Sequence, residues 1–334
     1  MTATAMTTEP LLVVRDLSCH IHTAAGTLRA VDGVSLAVER GQVLGVVGES
    51  GCGKSTLVRA VAGALGPGHR ITGEVRLDGV APAALPPAQA RRVRGRRIGM
   101  VFQDPMTALN PVVPVGRQLT EGMRHHLGLG RAEARDRAID LLNQVGVPDP
   151  ARRLRHYPHQ FSGGLRQRIT IAIALSCEPD LLIADEATTA LDVTVQRQIL
   201  DLLADLAGER GMAMILVSHD LAVVAGRADH VAVMYGGRVV EHGRAAAVFS
   251  APRHRYTEAL LAAVPRLGDA PHSRLRVIAG SPPDPYAPPP GCPFAARCSH
   301  ARADCAAGVP PLTGTAAHEH ACLVPVPTAP QEVR

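Results

Sequence analysis

With 334 residues, the chain is long enough for one large domain or two smaller ones. Hydrophobic residues make up 46% of it and aromatics only 2%, with no Trp, so Leu, Val, Ile and Ala must fill the core. The 35 Lys and Arg exceed the 30 Asp and Glu by a margin that suits an anionic small molecule or membrane surface and does not demand nucleic acid. The one dense basic run, residues 91–97, reads as a solvated face. No apolar stretch approaches the ~20 residues that span a bilayer, and residues 1–10 lack the basic start and apolar stretch of a signal peptide. The expectation is a cytosolic protein that reaches a membrane only by docking onto other subunits. Seven cysteines in such a protein do not read as a disulfide framework.

Residues 11 to about 260 alternate short apolar runs with amphipathic stretches, the pattern of an α/β domain. Residues 43–47 predict a buried strand and residues 56–64 a helix. Between them Gly48, Glu49, Ser50, Gly51, Cys52, Gly53, Lys54 and Ser55 fit G-x-x-x-x-G-K-[ST]. Glycines there let backbone N–H groups curl around an anion, and the helix that begins near Thr56 aims its positive end at it. Lys54 is expected at the β- and γ-phosphates and Ser55 on Mg²⁺. A glycine-rich turn without function is the bland alternative, and the strand–loop–helix order speaks against it. Cys52, at a helix N-terminus beside Lys54, is expected to have a lowered thiol pKa and to alkylate readily.

Residues 107–157 carry helical patterns, such as 131–145, and few strand signals. They read as a helical subdomain, about 105–165, inserted between core strands. Ser162, Gly163 and Gly164 then open a helical run, 165–177. By itself a Ser before Gly-Gly is an ordinary N-cap. Residues 181–184 predict a strand that ends in Asp185 and Glu186, two acids that are costly at a buried strand end without a cation or donors. Residues 214–217 predict another strand, followed by His219. After 265, seven prolines between 282 and 293 exclude helix and central strand and read as an extended linker. A small tail beyond holds Cys292, Cys298, Cys305 and Cys322.

The order phosphate loop, Phe161-Ser162-Gly163-Gly164-Leu165-Arg166-Gln167, then Asp185-Glu186, resembles the ABC ATPases over nearly the whole chain. The resemblance implies an ABC-type P-loop NTPase: a RecA-like core, an antiparallel β subdomain and an inserted helical subdomain within 1–264. Residues 265–334 then form the Pro-rich linker and a four-cysteine extension. It implies that Asp185, Ser55 and Gln103 hold Mg²⁺, that Glu186 polarises the attacking water, and that His219 is the switch histidine near the γ-phosphate. Ser162, Gly163 and Gly164 contact ATP held by the opposite subunit, and Asp192 lies on a loop that crosses the dimer interface. One phosphate loop and one signature per chain require a dimer.

Within that family, the segments at 103–111, 188–196 and 255–261, with Gly291-Cys292-Pro293-Phe294-Ala295-Ala296-Arg297-Cys298, resemble the ATP-binding subunits of oligopeptide and dipeptide importers. This implies ATP-driven uptake of peptides. The implied partners are a second, unlike ATPase subunit, two membrane permeases and an extracytoplasmic binding protein, at the cytoplasmic face of the inner membrane. An importer of nickel or another solute, and a soluble ABC ATPase acting on DNA or ribosomes, are the alternatives. The latter lacks the coiled coil, zinc hook or tandem ATPase domains it would need. Leu165 and Ala187 depart from the family pattern. No aromatic precedes Phe102, so His20, Ile21, His22 or Leu28 must meet the adenine. The tail cysteines, spaced x5, x6 and x16, suit a [4Fe–4S] cluster by count, with Zn²⁺ or no metal as alternatives. The Pro-rich linker is expected to leave that tail independent of the phosphate loop.

Overall fold

The computed structural model describes residues 9–188, 192–264, 277–315 and 317–327. Among them eleven strands form: β1 (Leu12–Thr23), β2 (Gly26–Val38), β3 (Val43–Val47), β4 (His69–Leu77), β5 (Ile98–Val101), β6 (Leu181–Asp185), β7 (Ala213–Ser218), β8 (His230–Tyr235), β9 (Arg238–Arg244), β10 (Thr313–Thr315) and β11 (His318–His320). Strands β2, β1 and β4 make a three-stranded sheet in that order. The chain divides into two compact units.

One unit holds residues 9–13, 37–42 and the described part of 75–217. Its strands β5, β6 and β7 are parallel, with Val101 opposite Ala184 and Asp185 opposite Val217. Every residue of β6 is buried, which is why it reads as an unbroken apolar run rather than an alternating one. Residues 105–175 of this unit contain helices and no strand among the described residues, including Val115–Gly122, Arg131–Gln144 and Gly163–Leu175. The basic run lies on the helix Pro87–Arg97, where Arg91, Arg92 and Arg96 are exposed as expected. Arg97 departs from that reading. Its Nε meets Asp180 at 2.5 Å and its Nη2 meets Asp78 at 2.8 Å, and Asp78 also takes Arg40. The two guanidinium groups hold the Asp78 carboxyl below the usual carboxylate range.

The other unit holds residues 14–36, 43–74 and the described part of 218–334. Its sheet runs β10-β11-β9-β8-β3, with β3 parallel to β8 and the remaining pairs antiparallel. The tail thus continues the sheet: β11 pairs with β9, and Ala321 N–H donates to the Val240 carbonyl at 2.8 Å. Glu241 on β9 is fully buried, and its carboxylate accepts from Arg253 N–H, His254 N–H and His318 Nε2 at 2.6, 2.9 and 2.7 Å. A buried carboxylate with three donors is satisfied, and one of them comes from the tail. The tail is therefore anchored by backbone pairing and by the His318–Glu241 contact.

Candidate functional site

The phosphate loop leaves β3 and enters the helix Lys54–Ala62. Two glycines are obligatory. Gly48 has φ 152° and an added Cβ would strike the Met234 carbonyl oxygen; Gly53 has φ 103° and a Cβ would strike that of Ala30. Lys54 is buried, and its Nζ donates to the carbonyls of Gly48 and Glu49 at 2.8 and 3.0 Å. Ser50 and Gly51 at the crest are exposed, while Ser55 and Thr56 sit half-buried in the first helical turn. Glu49 is gripped from two directions. Its N–H donates to the Tyr256 hydroxyl at 2.8 Å, and its carboxylate receives both terminal nitrogens of Arg297 at 2.6 and 3.0 Å. This contact overturns the expected independence of tail and phosphate loop. A contact 248 positions apart leaves no local trace in sequence.

Cys52 also differs from expectation. Its side chain is buried, and burial pushes the thiol pKa up; the Lys54 charge, with Nζ 4.0 Å from Sγ, opposes this and does not win. Desolvation outweighs the helix N-terminus here. In the folded chain Cys52 should therefore alkylate slowly at neutral pH, no faster than the other thiols. Peptide mass mapping after brief maleimide exposure checks this, and Cys52 labelling first would refute it.

In the other unit, Asp185 ends β6 wholly buried. Glu186 follows with φ 47°, a left-handed backbone that a non-glycine residue adopts at a cost. Its N–H donates to the Val217 carbonyl at 3.2 Å, and its Oε2 accepts from Gln103 Nε2 at 3.0 Å. The structure thus joins two predicted site residues that lie 83 positions apart. Ser162 caps the helix Gly163–Leu175, its Oγ accepting from Leu165 N–H at 3.4 Å, and Ser162 and Gly163 are exposed. Leu165 serves that cap through its backbone, so the departure at this position leaves the cap intact. Ala187 is buried. Asp192 caps the helix Val193–Arg210 by accepting from Thr194 and Val195 N–H at 3.1 and 3.0 Å. Its predicted neighbours Ala190 and Leu191 lie outside the described residues. His219, which belongs to the same unit as the phosphate loop, follows β7 at an exposed position.

Of the residues considered for adenine, His20, Ile21 and His22 lie on β1 and Leu28 on β2. Tyr286, from the Pro-rich segment, reaches the turn between these strands, where its hydroxyl takes a hydrogen bond from Thr23 Oγ1 at 3.3 Å. It is a partly exposed aromatic that chain order alone had placed far away. The four tail cysteines line one cavity with His254 and Phe294. Backbone N–H groups of Phe294, His300 and Arg302 point at the sulfurs of Cys292, Cys298 and Cys305. Burial pushes the Cys292 and Cys298 thiols up, and neighbouring sulfurs push in the same direction. Among the described residues, no group of three or more His, Cys, Asp or Glu is arranged to hold a metal ion, so the four cysteines are not brought together as a metal site.

A glycine-built phosphate loop with its lysine, a strand ending in paired carboxylates, and a serine-capped Gly-Gly helix start define an ATPase of the ATP-binding-cassette class. Comparison with known proteins agrees. Residues 31–189 match the ABC transporter family, and residues 240–305 match the oligopeptide/dipeptide transporter C-terminal region. The chain is 48% identical over 299 residues to the dipeptide transport ATP-binding protein DppD of Bacillus subtilis, covering 89% of each chain. It is 47% identical to DppD of Escherichia coli, covering 90% of this chain and 92% of that one. Among solved structures, cbiO1 of Clostridium perfringens, part of the ABC transporter complex cbiONQ, aligns with a TM-score of 0.61 at 30% identity, covering 72% of this chain and 91% of the other. A dimeric ATP-binding cassette bound to ADP and phosphate aligns at 0.63 and 26% identity, covering 70% and 98%. The chain belongs to the ABC transporter ATP-binding family, in the group of peptide-import ATP-binding proteins.

Proposed function

We propose that this chain binds and hydrolyses ATP to power peptide uptake through an ABC importer. The observation that carries this is the identity of 47–48% to dipeptide transport ATP-binding proteins over about nine-tenths of the chain, with the peptide-transporter C-terminal region matched as well. Lys54 and the loop from Gly48 to Thr56 bind the phosphates; Ser55, Gln103 and Asp185 hold Mg²⁺; Glu186 polarises water; and His219 meets the γ-phosphate. The Gln103–Glu186 hydrogen bond supports this assignment, because it pre-orients the base. The exposed Ser162 and Gly163 suit contact with ATP held by a second ATPase subunit, probed most directly as a heterodimer with an unlike partner.

Two membrane permeases are the remaining neighbours, together with an extracytoplasmic binding protein. Among the described residues no helix is long and apolar enough to cross a membrane. Met106 and Val112, on the segment after Gln103, expose large apolar side chains to solvent. Such exposed groups suit a permease contact, which would hold the chain at the cytoplasmic face. The test is reconstitution with permeases and binding protein in liposomes, following ATP-dependent uptake of a labelled dipeptide. Uptake of nickel or another solute in its place would overturn the peptide reading.

For the tail, a [4Fe–4S] cluster on Cys292, Cys298, Cys305 and Cys322 is the favoured occupant. The count of four sulfurs around one cavity supports that reading, with Zn²⁺ as the alternative, and the N–H group aimed at the Cys305 sulfur would favour a thiolate there. Such a group would act as a structural staple across the extension.

A further inference from the structure

An acidic side chain inside a loop that must receive a polyphosphate is electrostatically out of place unless something neutralises it. Glu49 is that residue. Arg297, on the turn that precedes Cys298, meets it through both terminal nitrogens, and the Arg297 side chain is only 4% exposed. All five guanidinium donors are engaged. Nε donates to the Ala279 carbonyl at 2.9 Å, and the terminal nitrogens also donate to the Tyr235 hydroxyl and the Ile278 carbonyl, each at 3.1 Å. A fork held this completely cannot follow Glu49 passively; it fixes where the carboxylate sits.

The setting beneath the loop is equally rigid. Tyr235, Tyr256 and Phe294 pack as an aromatic cluster, with centroids 4.4 Å apart for the tyrosine pair and 5.4 Å from each tyrosine to Phe294. All three are buried, in a chain with only four Tyr and four Phe. Tyr256 holds the Glu49 N–H, Arg297 holds its carboxylate, and the Glu49 carbonyl accepts from Lys54 Nζ. Glu49 therefore links the extension to the lysine of the phosphate loop.

We propose that Arg297 is a positioning residue for nucleotide binding: it neutralises Glu49 and fixes the phosphate loop, so the C-terminal extension sets ATP affinity within its own subunit. The inference rests on the ATPase reading above.

Mg-ATP binding to the full chain, measured with a fluorescent ATP analogue, tests both and separates them. Wild-type chain that binds no nucleotide would sink the ATPase reading itself. Given wild-type binding, Arg297→Met should weaken affinity about tenfold by leaving a bare carboxylate in the loop, and Arg297→Lys should fall between. Adding Glu49→Gln to Arg297→Met should recover most of the loss, because the charge to be neutralised is gone. Loss of tail packing alone predicts no such recovery. The outward-facing Arg302→Met should bind like wild type. Should Arg297→Met fail to fold, Arg297→Lys with and without Glu49→Gln carries the same comparison. Unchanged affinity in the Arg297 variants, or a double variant as weak as the single one, would overturn the proposal.

Discussion

Glu186→Gln is expected to lower ATP turnover by about 10²–10⁴-fold while leaving ATP affinity close to wild type. The carboxylate is the only chemical element removed. The amide keeps an oxygen in the position that accepts from Gln103 Nε2, so the hydrogen bond that orients the side chain survives. The left-handed backbone at φ 47° is set by the Val217 carbonyl and the end of β6, neither of which the substitution touches. What disappears is the ability to polarise water. Lys54→Ala should behave in the opposite way, losing nucleotide affinity first, because its ammonium sits on the carbonyls of the loop itself. Affinity and steady-state hydrolysis of both variants in the assembled transporter distinguish the two roles. Near-normal turnover for Glu186→Gln would remove it from catalysis.

The parts legible in sequence are those whose signal is local. Residues 43–47 were expected as a strand and form β3 with those bounds, because the run is apolar on both faces and a glycine-rich turn ends it. The strand expected at 181–184 extends to Asp185, and that at 214–217 extends one residue each way. The helix expected at 165–177 begins at Gly163 and ends at Leu175, since Ser162 caps it and Cys177 lies just beyond, buried. The strained φ at Glu186 left no mark on composition. Neither did the pairing of β11 with β9, whose three residues His318, Glu319 and His320 carry no apolar alternation. A polar strand of that kind forms because β9 offers an edge and Glu241 a buried acceptor, both supplied by tertiary structure. The Cys52 thiol departs from expectation for a related reason: its neighbours are readable in sequence and its burial is not.

On the proposal that the tail cysteines hold iron, Cys298→Ser is expected to lose that iron and, with it, part of the affinity for ATP. If the cluster is the occupant of the cysteine cavity, anaerobically purified wild type should be brown and carry about four irons per chain, and the variant should be colourless. The second effect runs against the independence that the Pro-rich linker implied. Arg297 is adjacent to Cys298 and ends the short turn Ala295–Arg297, so releasing the sulfur should loosen the turn that presents the guanidinium to Glu49. Affinity for Mg-ATP should then drop about as far as in Arg297→Met, roughly tenfold. The tail should not unravel throughout. Protease sensitivity should rise around residues 291–305, while β11 stays on β9 through its backbone pairing and the His318–Glu241 contact. Cys177→Ser, at a buried thiol in the other unit, serves as the control and should change neither iron nor affinity. A wild-type chain holding one zinc per cavity would replace the cluster and keep the coupling. Full ATP affinity in an iron-free Cys298→Ser chain would break the link between the cysteine cavity and the phosphate loop.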